Sequence, residues 1–300
     1  MISLVTLYDE AELGPRLQSW LASKDIACHC LAAEIHAFPD GEIRVRVPEP
    51  VSETVVLICT LDHPSEKTLA LTFVSDVLRS MGAKRIWLAA PYLAYMRQDI
   101  AFHPGEGISA ASYARLLSRS VDAMVTVDPH LHRIPDLEDV YTIPSTALHA
   151  TDIIGDWLKD RLPGKSLLIG PDRESEQWVT AVAARCGQPF RVLDKERLGD
   201  RQVVIQVPDL SAEGLQTVVL VDDMVSTGQT LMKVARALRS QGIKDIRAVF
   251  VHALFGPETA AEMHDAGIGE LVSCNTVAHP TNGIDVTIMM GEWVQQQLQA

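Results

Sequence analysis

At 300 residues, 47% apolar and 22% charged, the chain has room for two domains of about 150 residues, each able to bury its own core. A net charge of −13 argues against a nucleic-acid or anionic-membrane surface, although a local basic loop for phosphates stays compatible with it. No apolar run approaches the ~20 residues that span a bilayer, Met1 leads into the strand-like Ile2 to Leu7, and the five cysteines (Cys28, Cys30, Cys59, Cys186, Cys274) form no C-x-x-C pair, so the expectation is a cytoplasmic protein with reduced thiols and no membrane or nucleic-acid partner.

The first 31 residues predict a β-α-β unit: a strand over 2–7, a helical pattern over 11–23 and a strand over 26–31. In Phe38-Pro39-Asp40-Gly41-Glu42 the Pro and Asp-Gly mark a turn, and Ile43, Val45 and Val47 alternating with Arg44 and Arg46 predict one strand of a hairpin. Taken alone the segment reads first as a turn, and second as an aromatic and two acids able to grip a purine ring and its amino group. A buried strand over 55–59 and a helix over 66–80 follow, ending in Leu78-Arg-Ser-Met-Gly-Ala-Lys-Arg-Ile86. Leu238-Arg-Ser-Gln-Gly-Ile-Lys-Asp-Ile246 repeats that pattern 160 positions later, and the preceding strands, Val55-Val-Leu-Ile and Val218-Val-Leu-Val, are 163 apart. The spacing predicts an internal duplication of a strand-helix-strand plan, with chance likeness of short α/β segments as the competing explanation.

A strand over 86–90 leads to Tyr92 and to Tyr95-Met96-Arg97-Gln98-Asp99. Aromatics beside a guanidinium, an amide and a carboxylate at a strand's C-terminal end suit a nucleotide, because open parallel sheets bind ligands at that edge. Ser109 is expected to cap a helix carrying Tyr113, Leu116 and Leu117. The strand over 123–127 ends in Asp128-Pro129-His130-Leu131-His132, where His130 is a candidate cation ligand and His132 a candidate phosphate contact. Residues 144–151 read as the join between halves.

In the second half a helix over 151–160 and a strand over 166–170 lead to Pro171-Asp172, and the next helix is expected to begin at Arg173. Acids in a first helical turn suit the dipole, so Glu174 and Glu176 receive no catalytic role. After a strand over 191–193, Asp194 to Arg201 reads as a charged loop that Gly199 makes mobile: either plain surface, or a source of cations that closes over a nucleotide. Val218 to Val221 is a buried strand expected to stop at Asp222 and Asp223. Leu231, Val234, Ala235 and Leu238 form the apolar stripe of the following helix, and Gly242 lies just past its end. Between them, the backbone N–H groups of Ser226, Thr227, Gly228, Gln229 and Thr230, with three hydroxyls, make a cradle for phosphate. Residues 271–294 predict strand pieces and a short helix.

Asp222-Asp223 followed by Ser226-Thr227-Gly228 resembles the 5-phosphoribosyl 1-diphosphate (PRPP) fingerprint. The ordered series of motifs along nearly the whole chain is similar to the ribose-phosphate diphosphokinase (PRPP synthetase) family, more to its archaeal-type branch. The resemblance implies an α/β fold of two phosphoribosyltransferase-like domains with mainly parallel sheets flanked by helices, related by duplication and with the site between them: residues 1–147, on which a tail over about 288–300 packs, and 148–287. It implies transfer of the diphosphoryl group of Mg-ATP to ribose 5-phosphate. Phe38, Asp40, Gly41 and Glu42, offered by a neighbouring subunit in a dimer or larger assembly, together with Arg97, Gln98, Asp99 and His132, would bind ATP. His130 and Asp172 would hold Mg2+, and Lys195 and Arg197 would be catalytic. Arg197, Asp222, Asp223, Ser226, Thr227, Gly228, Gln229 and Thr230 would bind ribose 5-phosphate. The chain departs from the family pattern at Ile100, where Arg or Lys is common, at Arg173-Glu174-Ser175 in place of a Gly-Gly turn, and at Gln229 in place of a small residue. A type I phosphoribosyltransferase and a non-catalytic regulatory paralogue are the rival readings.

Overall fold

Short runs of β-branched and aliphatic residues alternate with amphipathic segments, and the chain folds accordingly into parallel sheets faced by helices. The computed structural model describes the chain except residues 102, 199–201 and 300, and at 195–198 and 202–205 it describes the backbone alone. Two compact units divide the chain: Met1–Leu148 together with Val286–Ala300, and His149–Asp285.

The first unit contains β1 (Ile2–Thr6), α1 (Leu13–Ala22), β2 (Cys28–Ala32), β3 (Glu34–Ala37), β4 (Ile43–Arg46), β5 (Thr54–Ile58), α2 (Pro64–Ser80), β6 (Arg85–Ala90), α3 (Ser109–Ser120), β7 (Ala123–Val127) and β8 (Ser145–Leu148). Its six-stranded sheet has the order β2-β1-β5-β6-β7-β8 with every pair parallel. The central strands read as near-continuous apolar runs because both their faces are covered. Leu57 and Leu88 from the sheet, Leu71, Val74 and Leu78 from α2 and Leu117 from α3 are all fully buried in one cluster. Each contributes about 1.5–3 kcal/mol on removal from water.

The second unit contains α4 (Thr151–Lys159), β9 (Ser166–Gly170), α5 (Glu176–Cys186), β10 (Phe190–Val192), β11 (Asp194–Leu198), β12 (Gln202–Gln206), β13 (Thr217–Val225), α6 (Gln229–Ser240), β14 (Asp245–Ala253), α7 (Pro257–Asp265), β15 (Glu270–Cys274) and β16 (Asn282–Ile284). Its sheet, β10-β9-β13-β14-β15-β16, is again parallel throughout. The predicted stripe of α6 is the buried one, with Leu231, Val234, Ala235 and Leu238 at most 1% exposed.

Strand for strand the two orders match, and in both an antiparallel hairpin (β3–β4, β11–β12) is inserted after the edge strand. The repeated nonapeptides close α2 and α6 with the same hydrogen bonds. Ala83 N donates to Leu78 O (3.0 Å) as Ile243 N does to Leu238 O (3.2 Å), and Gly82 and Gly242 both take positive φ (99° and 88°). Arg79 Nη1 donates to Lys84 O (2.9 Å) as Arg239 Nη1 does to Lys244 O (3.1 Å). A left-handed glycine lets a helix C-terminus satisfy its last carbonyls, and the arginine ties the turn that follows. The matching strand orders and the shared helix ends favour duplication over chance as the source of the likeness.

The structure differs from expectation in four places. Residues 194–198 are not an open loop but a strand paired to β12, from Asp194↔Gln206 to Leu198↔Gln202. Strand β13 does not stop at the acids, because Asp222, Met224 and Val225 continue the ladder opposite Phe250, His252 and Ala253. Helix α5 begins at Glu176 and not at Arg173. Asp172 accepts from Ser175 N (3.1 Å) while Ser175 Oγ donates back to Asp172 O (2.6 Å), winding 173–175 into a tight 3-10 turn first. Ser109 is the first residue of α3, not its cap; its hydroxyl is drawn away to Gln98.

Candidate active site

In the second unit, β9 and β13 are neighbouring parallel strands registered Ile169↔Leu220, so Asp172 and the Asp222-Asp223 pair follow at the same C-terminal edge. Asp222 accepts from Asp223 N through Oδ1 (3.1 Å), and Asp223, 4% exposed, accepts from Met224 N (2.7 Å). Gly228 sits at the helix N-cap in the left-handed region (φ 63°), and a Cβ there would lie 2.9 Å from Met263 Sδ. Glycine is therefore required twice over, by conformation and by the close approach of α7. Helix α6 starts at Gln229 with no acidic residue in its first turn, leaving its N-terminal N–H groups and dipole suited to an anion. Thus the acids, the small polar loop and the helix start follow one another directly at the C-terminal end of β13.

In the first unit, β6 and β7 are likewise adjacent and parallel, registered Ala90↔Thr126, and their C-terminal loops carry 91–99 and 128–133. Three non-glycine residues on these loops, Tyr95 (φ 66°), Asp128 (φ 37°) and His130 (φ 55°), are held left-handed. Such backbone strain persists only where surroundings over-determine it, and it concentrates at sites of function. His130 and His132 meet edge to face, Nδ1 of the first 3.2 Å from Nε2 of the second. Met96 is buried and plugs the 95–99 loop, while Arg97 is exposed. Gln98 is pinned to the start of α3: its Oε1 accepts from Ser109 Oγ (2.5 Å) and its backbone oxygen from Ala110 N (3.2 Å). Asp99, with a side chain only 5% exposed, receives Nη1 of Arg133 at 3.0 and 3.3 Å. Beneath Tyr95 lies Tyr113 (ring centroids 4.8 Å apart), whose buried phenol bonds Thr68 Oγ1 (2.9 Å) and whose pKa burial pushes up.

The hairpin β3–β4 carries Phe38 to Glu42 at its tip. Phe38 N donates to Glu42 O (2.8 Å), Gly41 N to Phe38 O (3.0 Å) and Glu42 N to Asp40 Oδ1 (3.1 Å), so the turn is internally fixed while Phe38 remains 40% exposed. The strand β11 carries Lys195 and Arg197, whose side chains lie outside the described residues. Within the first unit, then, the fold gathers Arg97, Gln98, Asp99, His130 and His132 on two neighbouring loops and holds Phe38, Asp40, Gly41 and Glu42 on the hairpin. Within the second it gathers Asp172, Asp222, Asp223 and the 226–230 loop. Arg133, which with Ser109 fixes the 95–99 loop, escaped the sequence reading, and Ser109 was read only as a helix cap: nothing in a lone Arg or Ser tells which loop it will meet.

Residues 10–120 match the N-terminal domain of ribose phosphate pyrophosphokinase, and residues 136–287 match the phosphoribosyl transferase domain. A ribose-phosphate pyrophosphokinase of Methanopyrus kandleri is 35% identical over 297 residues, covering 98% of this chain and 99% of its own. The enzyme of that name from Pyrococcus abyssi is 32% identical, over 86% of this chain and 90% of its own. The crystal structure of phosphoribosylpyrophosphate synthetase from Mycobacterium smegmatis superposes with a TM-score of 0.82 at 22% identity, covering 100% of this chain and 99% of that one, and so shares the fold. With a duplicated α/β architecture, a phosphate-ready helix start behind paired carboxylates and relatives matched from end to end, the chain belongs to the ribose-phosphate pyrophosphokinase family.

Proposed function

We propose that this protein transfers the diphosphoryl group of Mg-ATP to the anomeric hydroxyl of ribose 5-phosphate, producing PRPP and AMP for nucleotide biosynthesis. The observation that carries the reading is the second unit's Asp222-Asp223 pair leading into an α6 N-terminus free of first-turn acids, in a chain related throughout its length to ribose-phosphate pyrophosphokinases. Asp222 and Asp223 accept hydrogen bonds from the ribose hydroxyls. The helix-start N–H groups and the hydroxyls of Ser226, Thr227 and Thr230 hold the 5-phosphate, with Gly228 and Gln229 shaping the cradle. The anomeric hydroxyl oxygen then attacks the β-phosphorus of ATP in line and gives up its proton to solvent, the bond from that phosphorus to the α–β bridging oxygen breaks, and AMP leaves with that oxygen. Orientation of this kind lowers a barrier by roughly 7–11 kcal/mol in well-aligned systems. Lys195 and Arg197 stabilise charge on the transferring group, and Arg197 also binds ribose 5-phosphate.

ATP is received by Arg97, Gln98, Asp99 and His132, and by Phe38, Asp40, Gly41 and Glu42 of a neighbouring copy. The half-exposed Phe38 on an internally bonded hairpin tip is what supports self-association through that loop. Carboxylate oxygens suit magnesium, which keeps several waters and shares its ligands with substrate phosphates. Half-buried Asp172, a carboxylate held in place by Ser175 at a strand edge, fits that role, with His130 as the second proposed ligand. When bound, Mg2+ neutralises charge on the transferring diphosphoryl group. No helix among the described residues is long and apolar enough to cross a membrane, and the five cysteines form no disulfide, which suits a reducing cytoplasm.

The test is AMP formation from Mg-ATP with and without ribose 5-phosphate, with the sugar product weighed by mass spectrometry. Ribose-dependent AMP and PRPP are expected, and Lys195→Ala should cut turnover by about a hundredfold or more while ribose 5-phosphate still binds. Absence of AMP despite ribose 5-phosphate binding would turn the protein into a regulatory paralogue. Pyrophosphate release from PRPP with a free purine would make it a phosphoribosyltransferase.

A further inference from the structure

The ion pair between Asp99 and Arg133 joins the two loops that follow β6 and β7. It has the form of an anchor: one carboxylate, enclosed to 5% exposure, receives a single guanidinium nitrogen on both oxygens, and the guanidinium stem lies on the loop of His130 and His132. On the other side of Arg97, Gln98 is tied to Ser109 and Ala110 of α3, and Met96 is buried. Arg97 is thereby the one exposed cation on a segment fixed on both flanks, with Tyr95 strained at φ 66° beside it. A flexible loop would lose side-chain and backbone freedom on holding a nucleotide, and a preformed one has lost it already.

We infer that Arg133 is a positioning residue for ATP. By holding Asp99 it fixes the 95–99 loop against the His130–His132 loop and presents Arg97 to the nucleotide. The inference rests on the reading of 97–99 as the ATP segment. Losing Arg133 frees that loop without touching the ribose 5-phosphate residues, so the effect falls on one substrate only. Lysine carries the charge without the planar fork, and restores part of the anchor.

Steady-state kinetics of the full chain test this, with Arg133→Ala, Arg133→Lys, Asp99→Asn, the Asp99→Asn/Arg133→Ala double variant and Arg97→Ala, each first checked for an unchanged melting temperature. Arg133→Ala should raise KM for Mg-ATP about tenfold, with kcat and the KM for ribose 5-phosphate within twofold of the parent. Arg133→Lys should recover part of that loss, and the double variant should be no worse than the poorer single variant, because both remove the same anchor. If Arg97→Ala raises the ATP KM but Arg133→Ala leaves it within twofold, the positioning role is wrong and the ATP segment stands. If Arg97→Ala leaves the ATP KM unchanged, the segment is not the nucleotide contact and the inference falls with it. Additive losses in the double variant would mean that Asp99 and Arg133 act separately, which also overturns it.

Discussion

Gly228 shows how much a single position has to satisfy. Its φ of 63° is open to glycine and costs an L-residue about 1–2 kcal/mol, and the approach of Met263 adds a steric demand. Gly228→Ala is expected to destabilise the fold by about 1–3 kcal/mol and to weaken ribose 5-phosphate binding about tenfold, read by thermal melts and titration calorimetry. Gly242→Ala supplies the comparison: φ is 88° but open space surrounds it, so stability should fall while sugar binding stays unchanged. Equal loss of binding in both variants would show that the 226–230 loop does not depend on the shape of this cap. Residue roles of this kind were half legible. A Gly after Ser-Thr before an amphipathic stripe announces a helix start, but the thioether that closes in on it belongs to Met263, 35 residues further along.

At the scale of elements, the loop joining β15 to β16 is built around His279. Thr281 N donates to Nδ1 (3.2 Å), which assigns the proton to Nε2, and Nε2 donates to Phe255 O (3.0 Å). Protonation would place a second hydrogen where Thr281 N already donates, and burial lowers the pKa below the ordinary 6.5 against the smaller opposing pull of the Phe255 carbonyl. The folded state therefore binds the proton less readily than the unfolded state. The stabilisation is complete above the unfolded value of about 6.5 and is lost as pH falls through it and on down through the folded pKa. Melts at pH 7 and pH 5.5 should show a larger drop for the parent than for His279→Gln. An equal drop in both would remove His279 as the source. The two inserted hairpins belong at this scale too. The sequence announced β4 through its alternation and Asp-Gly turn, but Asp194 to Leu198, rich in charge, pairs with β12 because the backbone ladder outweighs weak strand propensity.

For the molecule as a whole, the C-terminal helix Thr287–Gln299 belongs with the first unit although the chain between them builds the second. It packs on α1 as α4 packs on α5, so the helix that precedes the first strand of the repeat in the second unit is supplied to the first unit from the far end of the chain. Trp293, 3% exposed, seals it there: Nε1 donates to Thr146 Oγ1 (3.0 Å), and its ring meets Trp87 edge to face at 6.1 Å. Trp293→Ala should cost about 3–5 kcal/mol in urea denaturation, as expected for emptying so large a buried volume. A loss below about 1 kcal/mol would show that the helix is not part of that core.

Local signals alone determined much of this protein. Apolar runs bounded by Gly, Pro and Asp marked the central strands, 3.6-residue periodicity marked α6, and two nonapeptides 160 positions apart pointed to the duplication, since each depends on neighbours within a few residues. The acid pair and the Ser-Thr-Gly loop were legible for the same reason: strand, loop and helix start are contiguous in sequence. Tertiary structure alone decided that β13 runs past its carboxylates, because β14 holds its backbone there, and that Asp99 faces Arg133 and Gln98 faces Ser109. It also decided the contacts that seat the last helix, Trp293 against Thr146 and Trp87. Hydrogen bonds and burial between residues far apart in the chain leave no periodic trace in sequence, because the energy of each contact depends on a partner that only the folded chain brings near.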